Sequence, residues 1–430
     1  EQMFDETPEN AAPNWYSVKG HEKYKKIISG ISYKRSFTDK LSNKISLFAQ
    51  SYSGYESRPF NILDDNSVKL GFRNIATYQW NKNKVQAGIE SLSETYNWDI
   101  YETLAGEQGE MVSAYSEKRK PISMFLNFQT KLFEKIIVEA GVSMNTLEYE
   151  LEDRFGDSVD LSGKYNYDMV LSPFLGINLP VSSAFRIYSS LSNGFSAPSV
   201  EETLLPEGAI NPELKPETGV NTEIGIRFQD KKKKVFADAC IYSIWVKNLL
   251  VTKRETEEIF YGANAGKSWH KGIELNSKIW LKDADSQFPV SLNINYTFTH
   301  AEFTNYIDDG IDFSGNKLPG IPEQNLFLSA NIESPPGIYI NPTFQFTGQQ
   351  FMDDSNTKTD DPYAVFNLKS GWSKNLNLIK INVALGIRNI FNEHYASMVL
   401  VNAPSFGGAA PRYYYPGMER NWFLTVGMGF

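Results

Sequence analysis

One cysteine, Cys240, and four histidines are all that 430 residues provide of these two types. A single thiol cannot close an internal disulfide, so no covalent staple is expected. His21, His270, His300 and His394 lie far apart, without the spacing of a metal-ligand cluster. Long apolar runs are missing as well: no stretch of about 18 apolar residues occurs, which excludes a transmembrane helix. The opening residues, Glu1 to Asn10, are acidic and polar and do not form a signal peptide, as in a mature or cut sequence. Positive charge is in short supply: 42 Lys and Arg face 51 Asp and Glu, and a net charge of -9 argues against nucleic acid as partner. Serine elbows, paired catalytic carboxylates and nucleophile–histidine constellations are absent too, so no enzyme is expected.

Aromatic residues, by contrast, are abundant. There are 23 Tyr, 28 Phe and 8 Trp, with a mean hydropathy of -0.38. Aromatic girdles at two membrane interfaces account for so many rings in so polar a chain. A soluble, aromatic-rich β-sandwich is the competing explanation. The length fits either two or three soluble domains or one large barrel.

Period-2 patterning decides between them. Trp422, Leu424, Val426, Met428 and Phe430 point one way, and Thr425, Gly427 and Gly429 the other. Ile381, Val383, Leu385 and Ile387 alternate with Asn382, Ala384, Gly386 and Arg388. Val290 to Thr299 alternates throughout, and Ile224, Ile226 and Phe228 oppose Glu223, Gly225 and Arg227. Such strands have one greasy face and one wet face. About seventeen can be placed, at 22–36, 43–54, 68–80, 83–95, 121–131, 134–146, 166–179, 182–193, 217–228, 234–251, 268–281, 289–301, 323–333, 338–351, 364–373, 378–393 and 419–430.

The links between them sort by length. Short turns such as Asn81–Lys82, Asp230–Lys233, Ser334–Gly337 and Lys374–Asn377 alternate with long links such as 96–120, 194–216, 302–322 and 394–418. A sandwich has no reason to sort its loops this way; an outer-membrane barrel does, with the short side periplasmic. The expected fold class is therefore all-β: a transmembrane, antiparallel, up-and-down β-barrel. Phe430 closes an out-to-in strand, which makes the C-terminus periplasmic and the long loops extracellular. Counting back, the strand at 22–36 also runs inward and residues 1–21 belong to an outside loop. Complete bacterial barrels have an even strand count with both ends periplasmic. An odd count that starts outside makes 1–430 an incomplete barrel domain, with its first strands beyond this sequence.

Specific motifs follow in the second half. Phe195-Ser196-Ala197-Pro198 and then Asn211-Pro212-Glu213-Leu214-Lys215-Pro216-Glu217 form a paired box. Asn264-Ala265-Gly266 precedes Gly272-Ile273-Glu274-Leu275, and Leu318-Pro319-Gly320-Ile321-Pro322 makes a proline turn. Arg388-Asn389-Ile390-Phe391-Asn392-Glu393-His394-Tyr395 is followed by Pro416-Gly417 and the terminal Phe430. This order resembles the motifs of TonB-dependent outer-membrane receptors of the siderophore-receptor type. The resemblance covers 185–430 and, with the upstream strands, extends to the whole chain. It implies a 22-stranded barrel filled by an N-terminal plug, so that the plug and the first strands lie outside this sequence. It also implies active import, in which the TonB–ExbB–ExbD complex acts on the plug. Physically, Pro198, Pro206, Pro212 and Pro216 remove backbone donors and stiffen a link. Asn389 and Asn392 suit turn geometry near the outer end of a strand. These motifs are read as structural.

A ferric siderophore is the ligand the resemblance implies, with no cofactor of the protein's own, since the iron arrives with the ligand. The alternatives are a cobalamin, other chelate or oligosaccharide receptor of the same family, or a passive porin-like barrel. Haem is disfavoured because 199–210 holds no histidine and Ser196 stands where haem receptors carry arginine. Copper would want grouped Met, Cys or His, and Met398, Met418 and Cys240 are not grouped in sequence. A SusC-type carbohydrate importer is usually longer. Candidate ligand contacts in the long loops are Tyr96, Trp98, Tyr101 and Arg119, flanked by Lys118 and Lys120; Arg254, Tyr261 and Trp269; and Tyr395 and Arg412. Aromatic walls with a few cations suit catecholate or citrate-type chelates. For each residue the competing reading is an interface girdle or a solvated loop. The acidic pairs Asp308-Asp309, Asp353-Asp354 and Asp360-Asp361 lack calcium-loop spacing and read as solvated tips. Gly262 to Ser268 has one residue too few between its glycines for a phosphate loop. The remaining expected partner is outer-membrane lipid, in a Gram-negative bacterium.

Overall fold

Ile, Val, Tyr and Phe alternating with Ser, Asn, Thr and Lys cannot bury one stripe of a helix, but they can give a pleated ladder two different faces. The computed structural model follows that rule. It describes residues 19–58, 61–104, 106–156, 160–198, 211, 213–254, 260–264, 266–308, 310–376, 379–403, 411 and 413–429. Among these, every regular element is a strand. The first eleven are β1 (His21–Ser36), β2 (Leu41–Ser57), β3 (Ile62–Trp80), β4 (Asn83–Leu104), β5 (Glu107–Leu132), β6 (Ile136–Asp153), β7 (Gly163–Asn166), β8 (Val170–Pro180), β9 (Phe185–Ser196), β10 (Glu217–Gln229) and β11 (Val235–Lys247). Then come β12 (Leu250–Arg254), β13 (Phe260–Asn264), β14 (Lys267–Lys282), β15 (Val290–Asn305), β16 (Ile307–Asp308), β17 (Ile311–Asp312), β18 (Gln324–Glu333) and β19 (Ile338–Thr347). The last are β20 (Gln350–Phe351), β21 (Thr359–Asp360), β22 (Tyr363–Leu376), β23 (Ile379–Arg388), β24 (Ala396–Val399), β25 (Tyr414–Pro416) and β26 (Asn421–Gly429). Eighteen belong to one sheet. They are the expected strands plus the four-residue β7.

The chain divides into two compact units: Glu1–Gly176 with Leu191–Val220 and Lys247–Ala265, and Ile177–Ser190 with Asn221–Val246 and Gly266–Phe430. In the first, β1 to β7 pair antiparallel in chain order. One row across the ladder reads Ile31, Leu47, Phe72, Ser91, Ile122 and Thr146. The adjacent row on the other face reads Ser32, Ser46, Arg73, Glu90, Ser123 and Asn145. Here Ser32 and Ser46 hydroxyls meet at 2.8 Å, and Ser123 donates to Asn145 at 2.7 Å. The first face keeps its large side chains in the open: Leu70 is 59% and Leu126 51% exposed. On β3 this face runs from Val68 to Tyr78 and is apolar except for Asn74, which bonds to Asn43. At about 3.4 Å per residue and a tilt of about 40°, that length covers roughly 25 Å of hydrocarbon.

In the second unit, β14, β15, β18, β19, β22, β23 and β26 pair in that order. Ile332, Ile340, Leu385 and Leu424 form a row that is apolar except for Ser370 between Ile340 and Leu385. On the opposite face Asn341 donates to Asn331 and Asn293 to Ser329. Two of the expected short turns are tight reversals, whereas Lys374–Leu376 of the one expected at 374–377 is still strand. Lys233 returns a backbone bond to Asp230 at 3.0 Å, and Gly337 returns one to Ser334 at 2.9 Å. Gly337 has φ 91°, and a Cβ there would lie 2.1 Å from the Ser373 carbonyl oxygen, so only glycine fits.

The long links depart from expectation. Instead of a loop at 96–120, β4 continues to Leu104 and β5 begins at Glu107. Ladder hydrogen bonds need no lipid, so strands whose apolar face ends at the membrane edge run on into water. The links 302–322 and 394–418 carry the small hairpins β16–β17 and β24–β25. The strand expected at 234–251 ends at Lys247, and Leu250–Arg254 pairs antiparallel with Phe260–Asn264 as the hairpin β12–β13. Pro206, Pro212 and Phe430 lie outside the described residues.

Candidate functional site

Beyond Val68 and Ile122 the ladder of the first unit keeps two faces, but their chemistry changes. On the face opposite the apolar run, β4 presents Tyr96 and Trp98, and β5 presents Tyr115, Glu117 and Arg119 in register with them. Tyr96 and Trp98 rings stack at 5.3 Å and 26°, and Trp98 meets Tyr115 at 5.3 Å. The Tyr96 hydroxyl donates to Asp65 Oδ2 at 2.9 Å. Below them Tyr149, Leu151 and Tyr167 form a buried cluster, with Trp98, Tyr115, Leu147 and Tyr165 packed against it. Tyr and Trp fit such a place because a large apolar body ends in a polar handle.

Arg119 sits on this platform. Its guanidinium lies 5.5 Å from the Tyr149 ring centroid and pairs with Glu117, which is 1% exposed. Burial pushes the Glu117 carboxyl up from its ordinary range, and Arg119 pulls part of that back. Burial also raises Asp65, offset in part by the bond from Tyr96. The Tyr96 and Tyr149 phenols are pushed up by burial as well, so both stay protonated. Around the platform Lys69 pairs with Glu94 at 2.6 Å, Arg58 with Glu56 at 2.5 Å, and Arg73 with Glu90.

Three of the expected contacts, Tyr96, Trp98 and Arg119, are thus brought together. Tyr101 pairs with Ile62 and lies on the other face. So do Lys118 and Lys120, which pair with Glu150 at 3.3 Å and Glu148 at 2.9 Å. Arg254 and Tyr261 belong by backbone to the β12–β13 hairpin, and their side chains, like the whole of Arg412, lie outside the described set. Sequence reading missed Asp65, Tyr115, Glu117 and Tyr149. The alternation of Tyr115, Glu117 and Arg119 was a usable signal; the partnership with Tyr149 was not.

In the second unit Trp269 stacks on Trp245 at 4.4 Å and 9°, donates to Ser243 at 2.8 Å and carries the Lys271 ammonium 3.8 Å above its ring. It shares a sheet face with the exposed Ile273. Tyr395 packs at 4.8 Å on Tyr363. On the opposite, polar face Asp238 accepts from Arg227 at 2.6 Å and from Tyr188 at 2.7 Å. Cys240 lies 3.8 Å from Glu274 in the same groove.

The sequence motifs hold backbone. Asn264 accepts from the Lys215 amide at 2.6 Å and donates to the carbonyls of Lys215 at 2.8 Å and Asn248 at 3.0 Å. It thereby ties the proline box to the β12–β13 hairpin. Asn389, at φ 50°, accepts from the Glu393 amide and donates to the carbonyls of Glu393 and Met418. Asp353 likewise accepts from the Thr357 and Lys358 amides, whereas Asp360 accepts from the Gln350 side chain and is buried instead of a solvated tip.

The family profile described as "TonB dependent receptor-like, beta-barrel" matches residues 7–390. The chain is 25% identical over 295 residues to the vitamin B12 transporter BtuB of Vibrio vulnificus, covering 68% of this chain and 42% of that protein. It is 23% identical to the ferrienterobactin receptor of Escherichia coli K12, covering 60% and 38%. The chain therefore spans about two fifths of the length of these curated relatives. Among solved structures, the ferric citrate transporter FecA superposes with a TM-score of 0.74 at 16% identity, over 95% of this chain and 61% of that one. The copper transporter OprC gives 0.74 at 14%, over 94% and 65%. At such identities these two likenesses bear on the fold alone. The relatives named here are transporters and receptors, not enzymes. With the profile covering most of its length, the chain belongs to the TonB-dependent receptor β-barrel family, the outer-membrane receptors of Gram-negative bacteria.

Proposed function

We propose that this chain forms barrel wall of a TonB-driven importer that takes a ferric siderophore across the outer membrane. The observation that carries the reading is the aromatic platform of Tyr96, Trp98 and Tyr115 with Arg119, raised above the apolar run on the polar face. Flat rings and one oriented guanidinium can hold the organic shell of a chelate without touching its metal. In this reading the polar face lines the lumen, the extended β4–β5 hairpin is extracellular and the C-terminus is periplasmic. A plug and further strands complete the barrel, and TonB–ExbB–ExbD supplies the energy through the plug. The ferrienterobactin receptor among the curated relatives supports iron as cargo.

Trp269 has a different part in this proposal. Its stack with Trp245 on the apolar face is an interface girdle, where an amphipathic ring meets headgroups. A second reading, cobalamin import, is favoured by the B12 transporter, which matches over 68% of this chain. Uptake of ⁵⁵Fe-labelled chelates and of cobalamin by cells with and without the gene separates the two. Loss of chelate uptake supports the iron reading. Normal chelate uptake with loss of cobalamin uptake overturns it.

A further inference from the structure

Charge on the platform face narrows the ligand further. Among the described residues of this face, Arg119, Lys69 and Arg73 each have a carboxylate partner in the adjoining strand or two residues along, namely Glu117, Glu94 and Glu90. Arg58, at the end of β2, is held by Glu56. Lys26 adds a further cation, since it pairs in register with Tyr52 of the same face. Against these stand more carboxylates than the four already named. Asp65 lies beneath Trp98 in the register, Glu22 faces Glu56, and Asp153 faces Tyr115. From the Lys69–Glu94 row outward the wall therefore carries an excess of acid, whereas Lys34, Lys44 and Lys84 share this face only below the Arg73–Glu90 row. Each of the four paired cations must give up a carboxylate before it can meet an anion.

The rings point the same way. Tyr96, Trp98 and Tyr115 offer stacked π-faces, which carry partial negative charge and attract cations rather than anions. Burial holds the Tyr96 phenol protonated, so it contributes no charge of its own.

We infer that the chelate received on this wall has no net negative charge: a neutral or cationic metal chelate of the trihydroxamate class, not a tris-catecholate or citrate complex. This rests on the proposed iron-chelate reading and refines it. A trianion placed about 7 Å from one uncompensated carboxylate is repelled enough to lower its affinity roughly 3- to 20-fold, depending on ionic screening. A neutral complex feels none of this, and a monocation gains by it.

The test is equilibrium binding of three ⁵⁵Fe chelates to outer-membrane vesicles containing the whole receptor, in low and in 0.5 M salt. The probes are a cyclic ferric trihydroxamate of zero charge, a linear one bearing a free ammonium, and a ferric tris-catecholate of charge -3. The uncharged and cationic complexes are expected to bind at least about 10-fold tighter than the trianion in low salt, with the gap closing as salt rises. Glu90→Gln and Glu94→Gln are each expected to improve trianion binding a few-fold and leave the neutral complex within twofold. If the trianion binds tightest and weakens with salt, the charge inference is overturned and the iron reading stands. Binding of cyanocobalamin alone overturns the iron reading and leaves the charge inference. If none of the probes binds, both fall.

Discussion

Asn264 offers the sharpest test of what the motifs do. Replacing it by alanine deletes the bond accepted from the Lys215 amide at 2.6 Å and the two donated to the Lys215 and Asn248 carbonyls at 2.8 and 3.0 Å. The site is partly open, so water replaces part of what is lost. At about 0.5–1 kcal/mol per bond the three together contribute about 1.5–3 kcal/mol of local stability. With roughly 1.4 kcal/mol per factor of ten, the tie between the proline box and the β12–β13 hairpin should open about 10- to 150-fold more often. Deuterium exchange of the peptide spanning Lys215, in the receptor held in vesicles, reads this directly. Asn264→Asp keeps the acceptor for Lys215 but turns lone pairs toward two carbonyls, so it should do no better than alanine. Three weaker ties remain, the Leu250 amide donating to Glu217, Asn248 to the Pro216 carbonyl and Asn211 to the Gly262 carbonyl, so global folding should survive. Exchange at Lys215 within twofold of wild type would show that the box is held by something else.

Three further outcomes are expected. Leu126→Arg, in the middle of the apolar run of β5, should destabilise insertion by about 2–4 kcal/mol, whereas Gln129→Lys on the opposite face should be tolerated; equal effects in a vesicle-folding assay would refute the face assignment. Trp269→Ala should weaken folding into bilayers by about 1 kcal/mol, through the lost stack with Trp245, and leave chelate affinity unchanged; a tenfold drop in affinity would return Trp269 to the ligand site. Burial raises the carboxyl pKa of both Asp65 and Glu117, so the folded outer segment holds protons that an unfolded one releases. By linkage, this contribution is full below the ordinary carboxylate range and is lost as pH rises through the raised folded values. Amide exchange at Tyr96 and Tyr115, corrected for its intrinsic rate, should be slowest in mild acid and quicken toward neutrality, with the trend reduced in Glu117→Gln; an opposite slope would contradict the burial argument.

Fold class was legible because lipid imposes a period of two that nothing else in the sequence competes with. Rows such as Ile332, Ile340, Leu385 and Leu424 are written in alternate positions of separate strands. Strand length was not legible, because the signal stops where lipid stops while the hydrogen-bonded ladder does not. Residues 96–104 and 107–120 looked like loop because both faces turn polar or aromatic there. Trp269 shows a signal left unused. It has the parity of Ile273, and continuing that count would have set it on the apolar face. The Arg119–Tyr149 contact joins neighbouring strands 30 positions apart and is visible only in register.

The ion pairs on the platform face carry one more step of argument. Pairs this exposed contribute about 0–1 kcal/mol each, and long side chains lose entropy in forming them. Lys69–Glu94 and Arg73–Glu90 therefore do little to hold together strands already joined by a continuous ladder. What they do change is the field above the sheet. A free lysine or arginine on a receiving wall attracts every phosphate and carboxylate in the surroundings, whereas a paired one attracts few. Neutralising the cations in place leaves aromatic area as the main source of affinity, and aromatic area selects by shape rather than by charge. Arg119 is the instructive case, because its partner is buried rather than exposed. A carboxylate 1% exposed cannot be reached by solvent cations, so Glu117 fixes the guanidinium over the Tyr149 ring, 5.5 Å from its centroid. Glu117→Gln should accordingly loosen that orientation and weaken a neutral chelate, even though it makes the wall more positive. Charge alone predicts the opposite sign for an anion, and measuring both ligands on that variant separates orientation from field.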